Sequence, residues 1–239
     1  MRILVTGGSG FIGSHLVHTL EKLGHKVLNV DNLSTIGGII HISKKSKFIK
    51  GNITDQKIIN KIEKWKPEII YHLAAQSGGE TSYDNPKDDY LTNGFGTLAL
   101  CYLAKKLKIS KFIYTSSVAV YGSNLKKINE KSNINPDSLY GISKYVGEMF
   151  INQILKSTKT QTTIFRLFNT YGPGENLNFL KKGMVKIYCS YLWRKKPIIV
   201  KGSLKRFRNY QYIDDVISLL VLSLDNKKLK KNEIINLTS

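Results

Sequence analysis

The segment Thr6-Gly-Gly-Ser-Gly-Phe-Ile-Gly13 constrains this chain more than any other. It follows an apolar, strand-like run, Arg2–Thr6, and opens an amphipathic stretch from Phe11 to Leu23. Glycines at 7, 10 and 13 give a GxxGxxG spacing. A strand that turns through such glycines into a helix points the helix N-terminus, with its unpaired N–H groups, at an anion. Gly7 suits the tight turn, Gly10 lets the backbone approach a pyrophosphate, and Gly13 lets helix and strand pack closely. A glycine-rich turn with no ligand is the plain alternative. No Gly-Lys-Ser/Thr follows, which excludes a Walker-type phosphate loop.

The rest of the pattern agrees with such a unit. Strand-like runs at Arg2–Thr6, Lys26–Val30, Ser46–Lys50, Glu68–Leu73, Lys111–Thr115 and Thr162–Leu167 alternate with longer segments of helical character. Those segments lie near Phe11–Leu23, Asp55–Trp65, Asp89–Lys106 and Tyr140–Lys156. This alternation predicts an α/β fold, a doubly wound parallel Rossmann sheet with right-handed crossovers and helices on both faces. After Phe168 the pattern changes to a Tyr171-Gly-Pro-Gly turn, an amphipathic stretch near Lys181–Trp193, a short strand Ile198–Val200 and a basic loop Lys205–Arg208. Asp214 and Asp215 then open a helix, as acids at a helix N-terminus should, and Glu233–Leu237 reads as a last strand. The expected organisation is a dinucleotide-binding domain over 1–168, a small, truncated substrate lobe over 169–211, and a return to the first domain over 212–239.

Charge and cysteine content narrow the function classes. The net charge of +20 arises from 37 Lys+Arg against 17 Asp+Glu, but the lysines are spread over nearly every helix and loop. Short clusters such as Lys44-Lys45 and Lys227-Lys228 lack interleaved aromatics, so no nucleic-acid partner is expected. The positive field would still draw in an anionic cofactor or a diphosphate. Cys101 and Cys189 sit in no CxxC or Cys/His cluster and read as small buried hydrophobes. No metal site is expected, no run is long enough to span a membrane, and no signal peptide precedes the first strand, so a cytoplasmic protein is expected.

Asp31 ends the second strand, where a carboxylate can bind both ribose hydroxyls and repel a 2′-phosphate. NAD is thereby favoured over NADP, although Asp31 can also cap its own loop. Tyr140 and Lys144 lie four residues apart on one helical face. A free phenol, near pKa ~10, is a poor base at neutral pH. A nearby ammonium and a positive nicotinamide ring would pull it toward working range, and the lysine can also hold the nicotinamide ribose. Ser117, near the end of a strand, is the hydroxyl best placed to bond the substrate oxygen that Tyr140 deprotonates. Ser116 is expected to contact cofactor or backbone. Turn-capping is the alternative for both serines.

TGGSGFIG, VDNLS, HLAAQS, NGFGTL, YTSSVAVYG, YGISK, FRLFNTYGPG and RNYQYIDD occur in that order over residues 1 to about 216. In this combination the sequence resembles the extended short-chain dehydrogenase/reductase family of nucleotide-sugar epimerases and dehydratases, especially its UDP-glucose 4-epimerase-like branch. The resemblance implies a pyrophosphate lined by Gly7, Gly10, Phe11, Ile12 and Gly13, with Asp31 and Asn32 at the adenosine ribose. It implies Asn52 and Ile53 beside the adenine, with Asn52 standing where the family usually has Asp. Leu73, Ala74 and Ala75 would run along the cofactor, Asn93 would support its site, and Phe168 would flank the nicotinamide. Ser117, Tyr140 and Lys144 match the catalytic triad, while Asn169 and Arg208 match residues that hold the substrate diphosphate. The family's chains run further than this one and dimerise through helices corresponding to 89–106 and 140–156.

The resemblance also bears on the reaction. Related dehydratases carry an Asp-Glu pair after the catalytic hydroxyl, and related decarboxylases a Glu. Here those positions are Val118 and Ala119, which cannot move a proton. The expected outcome is therefore 4-epimerisation of a nucleotide-diphosphate sugar through a transient 4-keto intermediate, with NAD recycled. A 4,6-dehydratase or reductase, and a non-catalytic NAD-binding regulator, are the alternatives.

Overall fold

The computed structural model describes residues 1–34, 42–123, 127–200, 203–204, 207–225 and 229–238. Lys205 of the expected basic loop and the Lys227-Lys228 pair lie outside them. Nine strands occur among the described residues: β1 (Arg2–Thr6), β2 (Lys26–Asp31), β3 (Lys47–Lys50), β4 (Ile69–His72), β5 (Lys111–Ser117), β6 (Gln161–Leu167), β7 (Asn169–Tyr171), β8 (Tyr210–Tyr212) and β9 (Glu233–Leu237). Seven of them form one parallel sheet in the order β3-β2-β1-β4-β5-β6-β9, and β7 and β8 form a separate parallel pair. The helices are α1 (Phe11–Lys22), α2 (Gln56–Trp65), α3 (Gly79–Asp84), α4 (Pro86–Asp88), α5 (Thr97–Leu107), α6 (Leu139–Leu155), α7 (Met184–Trp193) and α8 (Ile213–Leu222).

Both faces of the central strands are buried, so apolar residues point to either side of β1, β2, β4, β5 and β6. Leu4, Leu28, Ile70, Phe112 and Ile164 pack on one face with residues of α2, α5 and α6. Ile3, Val5, Ile69, Ile113 and Phe165 pack on the other with residues of α1 and α8. Successive residues of one strand thus serve opposite cores. β1 lies between β2 and β4, so the chain reverses its direction of travel across the sheet at β1. A crevice opens at the carboxyl ends of the strands where that reversal occurs, and ligands of such sheets bind there.

Three features differ from the sequence reading. The segment expected as one helix over Asp89–Lys106 begins with eight residues of π-helix, Asp89–Gly96, before α5. Ile198–Val200 forms no strand, and Val200 instead helps line a cavity with Leu204 and Phe207. Cys189 is exposed, whereas Cys101 is buried as expected. β9 pairs with β6, and α8 packs on the same core as α1, which brings the chain's last described segment back to the main sheet.

Candidate active site

The glycine turn is fastened on three sides. Gly7 adopts a positive φ of 73° and its N–H donates to the Val30 carbonyl at 2.8 Å. A Cβ at Gly7 would stand 2.6 Å from the Ala74 backbone nitrogen, and one at Gly13 would stand 2.0 Å from the Gly7 carbonyl oxygen. Only glycine therefore lets strand, helix and the loop after β4 converge here. Gly10 is the N-cap of α1, with no side chain capping it. The donors of the first helical turn, including those of Phe11 and Ile12, are thus not taken up by a capping side chain. Asp31 accepts from the Ser9 N–H at 2.9 Å through one carboxylate oxygen and from the Leu33 N–H at 2.7 Å through the other. It ties β2 to the glycine turn and caps its own loop, and each oxygen keeps a further lone pair for a ribose hydroxyl. The turn and the strand-end carboxylate fit a dinucleotide with an unphosphorylated 2′-hydroxyl.

The residues expected near the adenosine are less open. Asn52 accepts from the Thr54 N–H at 3.1 Å, and exposed Asn32 accepts from the Ser34 N–H at 3.0 Å. Ile53 is buried in the core against Gly96. Leu73, Ala74 and Ala75 follow β4 and are half-buried.

His72, at the end of β4, is fully buried between two threonines, with Nδ1 2.8 Å from Thr6 and Nε2 2.8 Å from Thr97. Thr97 gives its one proton to the Asn93 carbonyl at 2.6 Å. The imidazole must then donate from Nε2 and accept at Nδ1. Burial, reinforced by Lys144, holds its pKa well below the usual histidine range, so it stays neutral. This chain of bonds links the end of β1 to Asn93. Asn93 itself donates to the Gln76 carbonyl (3.0 Å) and lies within hydrogen-bonding distance of Asp89 (3.0 Å) and Ser143 (2.8 Å).

Ser138 caps α6 by accepting from the Gly141 N–H at 3.1 Å. The helix that follows carries Tyr140, Lys144 and Glu148 at four-residue intervals along one face. Ser117 accepts from the Ala119 N–H at 3.2 Å, the turn-capping bond foreseen for it, and lies near enough to Tyr140 to favour its phenolate. Lys144 is buried, its Nζ 4.2 Å from the centre of the Tyr114 ring. Burial, partly offset by Ser117, pushes the Tyr140 phenol up to about 12. Burial also lowers Lys144 to about 7, against the opposing pull of Glu148 and Asp89. Without cofactor the phenol is thus set by burial, with Asp89 raising it further and Ser117 lowering it, and it lies above the range expected from a lysine-assisted base.

Ser116 differs from expectation. Neighbouring residues of β5 face opposite sides, and Ser116 turns toward α6, where its hydroxyl donates to Glu148 at 2.5 Å. Glu148 is also gripped by Arg166 of β6, with Nε 3.0 Å from one oxygen and Nη2 2.6 Å from the other. Arg166 donates in addition to the Tyr121 hydroxyl at 2.6 Å. This buried network fixes α6 to β5 and β6. Sequence reading missed Glu148, Arg166, Asp89, Ser143 and His72. The available signals were the four-residue spacing of Glu148 from Lys144 and of Asp89 from Asn93.

Phe168, directly after β6, is half-buried. In the β7–β8 register Asn169 stands opposite Tyr210, and its side-chain amide donates to the Asn209 carbonyl at 2.9 Å. Arg208 is exposed and borders a cavity of about 380 Å³ with Tyr188, Phe207 and Tyr210. Among the described residues no cluster of three or more His, Cys, Asp or Glu could hold a metal ion, and no helix is long and apolar enough to cross a membrane.

The family described as NAD dependent epimerase/dehydratase matches residues 3–238. The chain belongs to this family. Among its relatives, a dTDP-D-glucose 4,6-dehydratase of Dictyostelium discoideum is 35% identical over 255 residues, covering 98% of the chain and 57% of that protein. A UDP-glucose 4-epimerase of Mycolicibacterium smegmatis is 33% identical over 228 residues, covering 92% of the chain and 72% of that protein. The crystal structure of a UDP-glucose 4-epimerase from Thermotoga maritima with UDP-glucose matches at a TM-score of 0.92 and 32% identity, over all of this chain and 77% of that one. Membership of the epimerase/dehydratase family agrees with a glycine turn, a strand-end carboxylate and a Tyr-Lys pair around one crevice.

Proposed function

We propose that the protein is an NAD-dependent epimerase that inverts C4 of the sugar in a nucleoside-diphosphate sugar. The observation that carries this reading is the Ser117–Tyr140–Lys144 group, with Val118 and Ala119 directly after Ser117. Gly7, Gly10, Phe11, Ile12 and Gly13 would hold the cofactor pyrophosphate and Asp31 and Asn32 its ribose. Asn52, Ile53, Leu73, Ala74 and Ala75 would border its adenosine half, with Asn93 and Phe168 toward the nicotinamide. NAD, when bound, would supply the group that accepts a hydride from sugar C4 and gives it back. Tyr140 receives the C4 hydroxyl proton, Ser117 bonds the same oxygen, and Lys144 supplies positive charge and holds the ribose. The neighbouring positive ring would bring the phenol down from its high value.

Val118 and Ala119 have no group able to assist loss of water from the 4-keto sugar, so the ketone waits until it turns and accepts the hydride on its other face. Asn169 and Arg208, on the 169–211 lobe, would grip the diphosphate and let the sugar rotate. Exposed Tyr90, Phe95, Tyr102, Ile142 and Met149, on the helical segments around α5 and α6, support a homodimer through those helices. A cytoplasmic location belongs to the same reading. The test is incubation with NAD⁺ and a panel of nucleotide sugars, with products followed by NMR and mass spectrometry. An isomer of unchanged mass with no net NADH is expected. Loss of one water would replace this reading by the dehydratase, the activity named for the Dictyostelium relative.

A further inference from the structure

Asp89 begins the π-helical turn and is only 3% exposed. One of its carboxylate oxygens meets the Asn93 amide at 3.0 Å and the Ser143 hydroxyl at 3.1 Å. The other is buried with no donor among the described residues. Ser82 lies close to the carboxylate, but its hydroxyl donates to the Gly78 carbonyl at 2.9 Å. A buried carboxylate in this state is costly unless a positive charge faces it. Ser143, which bonds Asp89, directly precedes Lys144 on α6. Burial raises the Asp89 carboxyl and neighbouring Asp88 adds to that, while Lys144 is the positive charge that pulls it back, and Asp89 in turn raises Lys144.

The surroundings of Lys144 make Asp89 distinctive. Tyr140 and Glu148 face it from its own helix, Tyr114 from β5 and His72 from β4. His72 is neutral, and Tyr114 offers only its ring face, its hydroxyl being pushed up by burial. Glu148 already binds the Arg166 guanidinium through both oxygens. Among the described residues Asp89 is the carboxylate facing Lys144 that no guanidinium neutralises. We propose that Asp89 is the anionic partner of the Tyr140–Lys144 pair, a positioning residue that keeps Lys144 an ammonium and sets the pH range in which the pair works.

The proposal rests on the reading of Tyr140 and Lys144 as the proton-handling pair. Its signature follows from sign alone. A negative charge at Asp89 favours the Lys144 ammonium and disfavours the Tyr140 phenolate. Removing that charge lowers both midpoints, so both limbs of the rate profile move to lower pH together. A neighbouring charge that acts on an ionisable group moves its midpoint by about one pH unit or more, so a movement of about one unit is expected.

The test is Asp89→Asn and Asp89→Glu in the full chain, with Tyr140→Phe alongside. Lys144 is titrated by NMR of its labelled side chain without cofactor, and kcat is measured against pH with NAD⁺ and substrate saturating. Asp89→Asn should move the Lys144 midpoint below about 7 and carry both kinetic limbs acidward, and Asp89→Glu should restore them. A drop in kcat at every pH with unmoved limbs and midpoint would overturn the proposal and leave Asp89 a packing residue. Full activity in Tyr140→Phe would instead overturn the catalytic reading, while the NMR midpoint would still report the Asp89–Lys144 coupling. Should Asp89→Asn not fold, the coupling is read from the other side. Lys144→Met should raise the titration midpoint of the Asp89 carboxyl, and an unmoved midpoint would overturn the proposal.

Discussion

Replacing Arg166 by methionine should damage the protein through the charge it leaves behind. The Arg166 and Glu148 side chains are 3% and 1% exposed, and they meet at 2.6 Å and 3.0 Å. Methionine keeps the apolar stem but leaves Glu148 a buried anion that keeps the Ser116 hydroxyl as its hydrogen-bond donor, with Lys144 as the remaining nearby positive charge. Breaking a buried pair in this way costs about 3–5 kcal/mol. For a chain of this size that lowers the melting temperature by roughly 6–20 °C. The loss should shrink as pH falls, because a buried carboxyl without its guanidinium partner costs less when it carries a proton. Removing both charges, as Glu148→Leu with Arg166→Met, strands no ion. Tyr121 keeps its bond to Asn236 at 2.8 Å, so the double variant should recover at least about 2 kcal/mol of the single variant's loss. Denaturant melts of the four proteins at pH 7 and pH 5 form the assay. A loss under about 1 kcal/mol in Arg166→Met, or a double variant that sums its two singles, would refute the reasoning.

Two further substitutions probe the site. Tyr140→Phe should lower kcat by roughly 10²–10⁴ while leaving cofactor affinity by calorimetry unchanged, because only the proton acceptor is lost. Gly13→Ala puts a methyl 2.0 Å from the Gly7 carbonyl, so the turn must open. Cofactor affinity should fall by at least about tenfold and stability by about 1–3 kcal/mol, read by calorimetry and thermal melts.

Sheet strands, most helices and the glycine turn were legible because each is a local pattern: an apolar run, a capped amphipathic segment, glycines at fixed offsets. Tyr140, Lys144 and Ser117 were legible for the same reason. The π-helical turn at Asp89–Gly96 was not, since side-chain periodicity over eight residues scarcely separates it from α-helix. The three-residue strands β7 and β8 are too short to show an alternation. The role of Ser116 depended on Glu148 and Arg166, which meet only after β5, β6 and α6 have packed. The high phenol pKa of Tyr140 likewise reflects desolvation, a property of the folded surroundings that residue spacing does not carry.

In the proposed reaction one hydride leaves sugar C4 and returns to the same carbon within one enzyme. Its most direct test is turnover of a nucleotide hexose deuterated at C4, with NAD⁺ present and the product analysed by NMR and mass spectrometry. The account predicts an inverted C4 that retains its deuterium, at unchanged mass and without labelled NADH in solution. Loss of the label to water or to free NADH, or a product lighter by one water, would contradict it.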